Sequence, residues 1–181
     1  LRWDLDPKRL AVGIEDPDGC RRFGAALLEN VKVGPSPKWM QERLIAAGMR
    51  PIHNAVDITN YVMLELGQPL HAYDADRLKG SSLVARRAHA GESLRTLDGV
   101  DRLLAPDVLV IADGERSLGI AGILGGADSE IRPATTRIAL ECASFEPRGI
   151  DRTAQKLGLS QQSAASARFR LNLSPELVPL A

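Results

Sequence analysis

Apolar side chains recur at helical spacing in several stretches of the chain. Trp39, Met40, Leu44, Ile45 and Ala47 follow Ser36-Pro37 and stop before Gly48. Serine as N-cap, proline at the first helical position and glycine past the end predict a helix there. The stretch from Asn54 reads as a short second helix stopped by Gly67 and Pro69, with Thr59 and Asn60 near its middle and His71 delivered into the loop beyond. Pro147 to Leu157, ended by Gly158, is a third. Elsewhere the pattern is that of strands. Arg22 to Val33 reads as a strand or strand pair after the Asp16-Pro-Asp-Gly19 turn, and residues 82–88, 93–97, 108–112 and 138–143 are β-like. A short turn is predicted near Asp74 to Leu78, and Asp98-Gly99 and Asp113-Gly114 as hairpin turns that need positive φ. Helices at the start followed by mostly antiparallel strands predict a single compact α+β or mixed α/β domain. Ser160 to Ser166, small and polar without periodicity, reads as a mobile loop or linker.

Composition narrows the class. With 181 residues and 44% hydrophobic content, the chain is long enough to bury a sizeable core. Lys+Arg 23 balance Asp+Glu 23, so no net field draws the whole chain onto nucleic acid or a membrane. Cys20 and Cys142 lie far apart without metal-ligand spacing and read as reduced thiols of a cytosolic protein. No apolar run approaches the roughly 20 residues of a membrane span, and no signal-peptide pattern opens the chain. Leu1-Arg-Trp lacks an initiator Met and Leu177 to Ala181 ends abruptly, as in a piece of a longer polypeptide.

The candidate chemistry clusters in two fragments. Thr59, Asn60 and His71 supply a hydroxyl, an amide and an imidazole, the minimum set for holding a water or a carbonyl. The alternatives are local backbone bonds for Thr59 and Asn60 and a structural or solvent-facing role for His71. In Ala139-Leu-Glu-Cys-Ala143, alternation places Glu141 with Ala139 and Ala143, opposite Leu140 and Cys142. Buried there, it needs a partner: an internal salt bridge or backbone donor, or a ligand hydroxyl. Gly122, Gly125 and Gly126 allow close backbone approach, but their fragment matches neither a P-loop nor a dinucleotide fingerprint. His53 and His89 form no metal cluster with His71, and no Gly-x-Ser-x-Gly elbow is present. If hydrolysis occurs, positioned water is favoured over an acyl-enzyme.

Asp57-Ile-Thr-Asn-Tyr-Val-Met-Leu-Glu-Leu-Gly-Gln-Pro-Leu-His-Ala-Tyr-Asp74 closely resembles the signature of the bacterial phenylalanyl-tRNA synthetase beta subunit, within its tRNA-editing domain. Gly34-Pro-Ser-Pro37, Gly48-Met-Arg-Pro-Ile52, Leu97-Asp-Gly99, Val108-Leu-Val-Ile-Ala-Asp113, Gly122-Ile-Leu-Gly-Gly126 and Leu140-Glu-Cys-Ala143 match in family order. The resemblance implies a cytoplasmic fragment of a larger subunit that works on tRNA(Phe) in an α2β2 assembly, with no membrane partner. It places ATP and Mg only at the aminoacylation site of the alpha subunit, and no cofactor or metal in this fragment. Residues 1–13 resemble the end of a preceding small domain, 14–159 the editing domain and 160–181 a divergent, mobile C-terminal segment. The implied pocket contains Thr59, Asn60, His71, Gly122, Gly125 and Glu141. In the family the glutamate recognises the para hydroxyl of a misattached tyrosine, the histidine and asparagine lie near the ester and its attacking water, and the glycines shape the wall. Past Gly158 the chain departs from the family: Ser163 stands for a pocket threonine, Ala165 keeps an alanine and Arg170 replaces a glutamate. Two further functions stay open on the sequence, a non-catalytic architectural or RNA-docking module and a small-molecule binding domain without hydrolysis.

Overall fold

Residues 8–159 and 163–181 are described by the computed structural model. Two strands come first, β1 (Ala11–Ile14) and β2 (Cys20–Leu28). Helices α1 (Lys38–Ala46) and α2 (Asn54–Leu66) follow, then β3 (Leu70–Asp74). The middle of the chain is β4 (Ser82–Arg87), β5 (Ser93–Arg95), β6 (Asp101–Leu103), β7 (Leu109–Ala112), β8 (Ser117–Ile120) and β9 (Leu124–Gly125). The described chain closes with β10 (Ile138–Phe145), α3 (Pro147–Lys156) and α4 (Ala164–Phe169). The fold is the expected mixture of helices and mostly antiparallel strands, although β1 and β2 precede the helices. Residue 13, where a boundary was predicted, lies inside β1, and the neighbouring Leu10 is buried in the core.

Three sheets organise the strands: a five-stranded one in the order β1-β4-β7-β8-β9, a three-stranded one in the order β2-β10-β3, and the β5-β6 hairpin. β1 runs parallel to β4; the other ladders among the described residues are antiparallel. The main core is shared by the two larger sheets and α3, and includes Tyr73, Leu83, Ile111, Leu118, Phe145 and Ile150. A second cluster, Leu94, Leu104, Val108, Val110 and Ile120, fills the space under the hairpin. Ile111 and Val110 thus face different cores, which is why all four residues of β7 are buried rather than alternating. Each such side chain, fully buried, contributes about 1.5–3 kcal/mol. No described helix is long and apolar enough to cross a membrane.

Local chemistry explains where the chain departs from its predicted elements. Ser36 does not cap α1: the N-cap is Pro37, without a side-chain bond. Ser36 Oγ instead donates to Oδ2 of buried Asp57 at 2.5 Å, while Oδ1 accepts from the Ile52 N–H at 2.8 Å. A buried carboxylate must be satisfied, and that demand outweighs a helix cap. Gly67 ends α2 in the left-handed conformation, φ 79°, as predicted. Beyond it Gln68 is fully buried and donates to the carbonyls of Pro69 and Ala143, which seats the chain against β10. His71 therefore stands in a strand, not in a loop. Of the two predicted hairpin turns, Gly99 has φ 81° and Gly114 has no positive φ. Gly114 instead allows a close approach, since an added Cβ would lie 3.1 Å from the Lys79 carbonyl oxygen and press on that backbone.

The tail also differs from its prediction. Residues 160–162 lie outside the described residues, but Ser163 opens α4, accepting from the Ser166 N–H at 3.1 Å. Phe169, buried, packs on Phe145 with ring centroids 4.9 Å apart. One aromatic anchor and a capped run of alanines suffice to make this segment a helix, despite its polar composition.

Candidate functional site

The central strand β10 positions the site. Glu141 lies opposite His71 on β3 and Ala25 on β2 in the sheet register. Directly opposed residues share a face, and so do residues two apart, so Glu141, His71 and Tyr73 project together. Tyr73 Oη donates to Glu141 Oε2 at 2.5 Å. The His71 and Tyr73 rings meet edge to face, centroids 4.6 Å apart and planes at 67°. Glu141 is 6% exposed, Tyr73 is buried and His71 half-buried. Gly125 closes over the imidazole: a Cβ there would lie 3.0 Å from His71 Cε1 and 3.1 Å from Leu97 Cδ1, so a larger residue would have to displace the ring or Leu97 by a few tenths of an ångström. Gly122, at φ 67°, backs onto Ile150, Phe145 and Phe169.

Burial sets the electrostatics. It pushes the Glu141 carboxyl up to about 7, against the Tyr73 hydrogen bond, which favours the ionised form. Burial also lowers His71 to about 4, so its imidazole is neutral at physiological pH, with one nitrogen donating and the other accepting. Cys20 and Cys142 are pushed up to about 12, first by burial and then by the charge of Glu141. They are neutral thiols and poor nucleophiles.

The other predicted residues stand apart from this pair. Thr59 is buried, and its hydroxyl donates to the Val56 carbonyl at 2.7 Å. Asn60, half-buried on α2, makes no side-chain hydrogen bond to a described residue. α2 packs near β3, with Ala55 against the cluster of Ala72, Ile131 and Ile138 on the reverse face of the sheet. Ser163 is the exposed cap of α4 and Ala165 lies half-buried within it. The helix approaches the site through Phe169 against Gly122, and Arg170 forms an ion pair with Asp151. The sequence pattern overlooked Tyr73; the alternation of His71 and Tyr73 within a strand would have revealed it. A cavity of about 470 Å³ opens around the edge strand β2, with Leu140 and Cys142 lining it from one face of the sheet and Phe23 and Ala25 from the other, and with neither Glu141 nor His71 in its lining. Among the described residues, no group of three or more His, Cys, Asp or Glu is placed to hold a metal ion.

Residues 19–181 match the B3/4 domain family. The chain belongs to that family. It is 50% identical over 174 residues to the phenylalanine–tRNA ligase beta subunit of Dehalococcoides mccartyi (strain CBDB1), covering 96% of this chain and 21% of the relative. The corresponding subunit of Moorella thermoacetica is 52% identical over 170 residues, 94% of this chain and 21% of that one. This B3/4 domain thus spans about a fifth of the length of those relatives. Its fold is similar to an N-terminal fragment of the phenylalanyl-tRNA synthetase beta subunit from Pyrococcus horikoshii, with a TM-score of 0.57 over 90% of this chain and 51% of that fragment. At 10% identity that likeness is one of fold.

Proposed function

We propose that this B3/4 domain is the editing module of a phenylalanine–tRNA ligase, acting on tRNA(Phe) beside an alpha subunit in an α2β2 assembly, and that it hydrolyses the ester of mischarged Tyr-tRNA(Phe). The supporting observation is the buried Glu141 carboxylate, opposed across the strand pair by a neutral His71. An apolar synthetic pocket rejects one added hydroxyl by only about 10²-fold, whereas a site that hydrogen-bonds it discriminates by about 10⁴–10⁵. Editing inverts that logic. Glu141 accepts the phenol of a tyrosyl ester at Oε1, whereas a phenylalanyl ester offers that oxygen no donor. His71 orients the ester or its attacking water. Hydrolysis by positioned water relies on an already reactive ester and on polar groups near the developing oxyanion.

The test is deacylation of Tyr-tRNA(Phe) by the complete synthetase carrying this domain. Glu141→Ala is expected to slow it by at least about tenfold, the scale of one lost charged hydrogen bond. A variant as fast as its parent refutes the recognition role. A non-catalytic docking module is favoured by one feature, a 470 Å³ cavity around the edge strand β2 whose lining includes neither Glu141 nor His71. Parent synthetase that accumulates Tyr-tRNA(Phe) would establish that alternative.

A further inference from the structure

Glu141 already holds a phenol. Tyr73, two residues beyond His71 on β3, donates to its Oε2, which is the bond assigned above to the misattached tyrosine. An ionised carboxylate has two oxygens and about four acceptor positions. The described residues supply no hydrogen bond to Oε1, and Oε1 is not among the buried atoms sealed without a partner. We propose that Tyr73 is a positioning residue for tyrosine recognition: it fixes Oε2 so that Oε1 faces the ligand, and Glu141 accepts two phenols at once, one resident and one from the substrate. This inference rests on the editing role proposed for Glu141.

Two physical consequences of the resident bond make it more than packing. It restricts the rotation of a carboxylate whose neighbours Ala139, Ala143 and Ala25 offer it no other polar partner. It also favours the ionised state, which accepts a stronger, charge-assisted hydrogen bond than a neutral acid. Other titratable groups around the site do not substitute for it. His71 on β3 is held neutral by burial, and the thiols of Cys20 on β2 and Cys142 on β10 are neutral too. Burial and the Tyr73 bond are the influences that set the Glu141 carboxyl, with no cation among them.

The deciding experiment is Tyr73→Phe in the complete synthetase, a change that keeps the ring beside His71 and removes only the hydroxyl. Deacylation of Tyr-tRNA(Phe) and Phe-tRNA(Phe) is measured from pH 5.5 to 8.5, with kcat and KM resolved. The expected result is an about tenfold fall in the ratio of tyrosyl to phenylalanyl kcat/KM at pH 7, carried by KM. The acid limb for the tyrosyl ester should rise by about one pH unit, and that rise should vanish when Glu141→Gln is added. An unchanged ratio and limb overturn the inference, as does faster tyrosyl deacylation, which would make Tyr73 a competitor. A parallel fall for both esters also overturns it, because that is the behaviour of a structural residue. If Glu141→Gln and Glu141→Ala both match the parent, the editing role itself fails. A silent Tyr73→Phe beside an impaired Glu141→Ala removes only the present inference.

Discussion

Glu141→Gln should stabilise the domain increasingly as pH rises, and the size of the effect follows from its burial. The folded carboxyl titrates near 7 against an ordinary 4.5. Because the folded state holds this proton more tightly than the unfolded chain does, its stabilising contribution is complete below about pH 4.5 and is lost as pH climbs through 7. A displacement of that size corresponds to about 3 kcal/mol at pH 8. Glutamine still offers Tyr73 an acceptor oxygen but carries no charge, so the variant escapes the loss. His71, lowered to about 4, works in the opposite direction: its contribution is present above pH 6.5 and is lost as pH falls. Since it belongs to both proteins, it cancels in the difference between them. Urea unfolding of the 181-residue chain and its variant, at half-unit steps from pH 4 to 8.5, measures that difference directly. It should grow by about 3 kcal/mol across the window. A difference that stays flat with pH refutes the assignment of Glu141 as a buried, late-ionising carboxyl.

Two other perturbations test the frame around the site. Glu92 receives both terminal guanidinium nitrogens of Arg86, the His89 N–H, and the Ser117 N–H and hydroxyl, which together hold its carboxyl down to about 2. Its stabilisation is therefore complete above about pH 4.5 and lost as pH falls through 2. Glu92→Gln should cost about 3–5 kcal/mol at pH 7 by leaving Arg86 buried and unpaired, and should flatten the acid arm of a stability–pH curve. Gly122→Ala should cost at least about 2 kcal/mol, because its φ of 67° disfavours a side chain and its Cβ would meet Ile150, Phe145 and Phe169 at 3.0 Å. Thermal unfolding checks that figure, and an unchanged midpoint would mean that α4 yields freely.

Local signals made the frame legible and left the site incomplete. Gly67 and Gly158 stop helices because their positions demand φ near 79° and 65°, a demand written in residue type. Residues 108–112 read as a strand from their apolar, partly β-branched character, and β7 occupies Leu109–Ala112. β3 was invisible because Gln68-Pro69 looks like loop punctuation; its strand exists only because Gln68 bonds across to Ala143. Ser36 carried a correct cap signal that a partner 21 positions away, Asp57, overrode. The pairing of His71 with Glu141 is a matter of register across 70 positions, which no window of sequence contains. Family resemblance brought those two residues together before the fold did. It also singled out Thr59, whose hydroxyl here is engaged with its own helix.

Glu92 and Glu141 show how function can be separated from architecture in such a fold. Glu141 is buried and Glu92 half-buried, and one carboxyl is pushed up to about 7 while the other is held down to about 2. Glu92 is surrounded by donors from three segments and repays its burial in stability. Among the described residues Glu141 receives one donor, Tyr73, and no cation, so at neutral pH its charge is a net loss to the folded state. Apolar packing would serve the sheet better at that position, between Ala139 and Ala143. A carboxylate held at the expense of stability, with one oxygen left unbonded opposite a neutral imidazole, is the arrangement expected where a ligand supplies the missing donor.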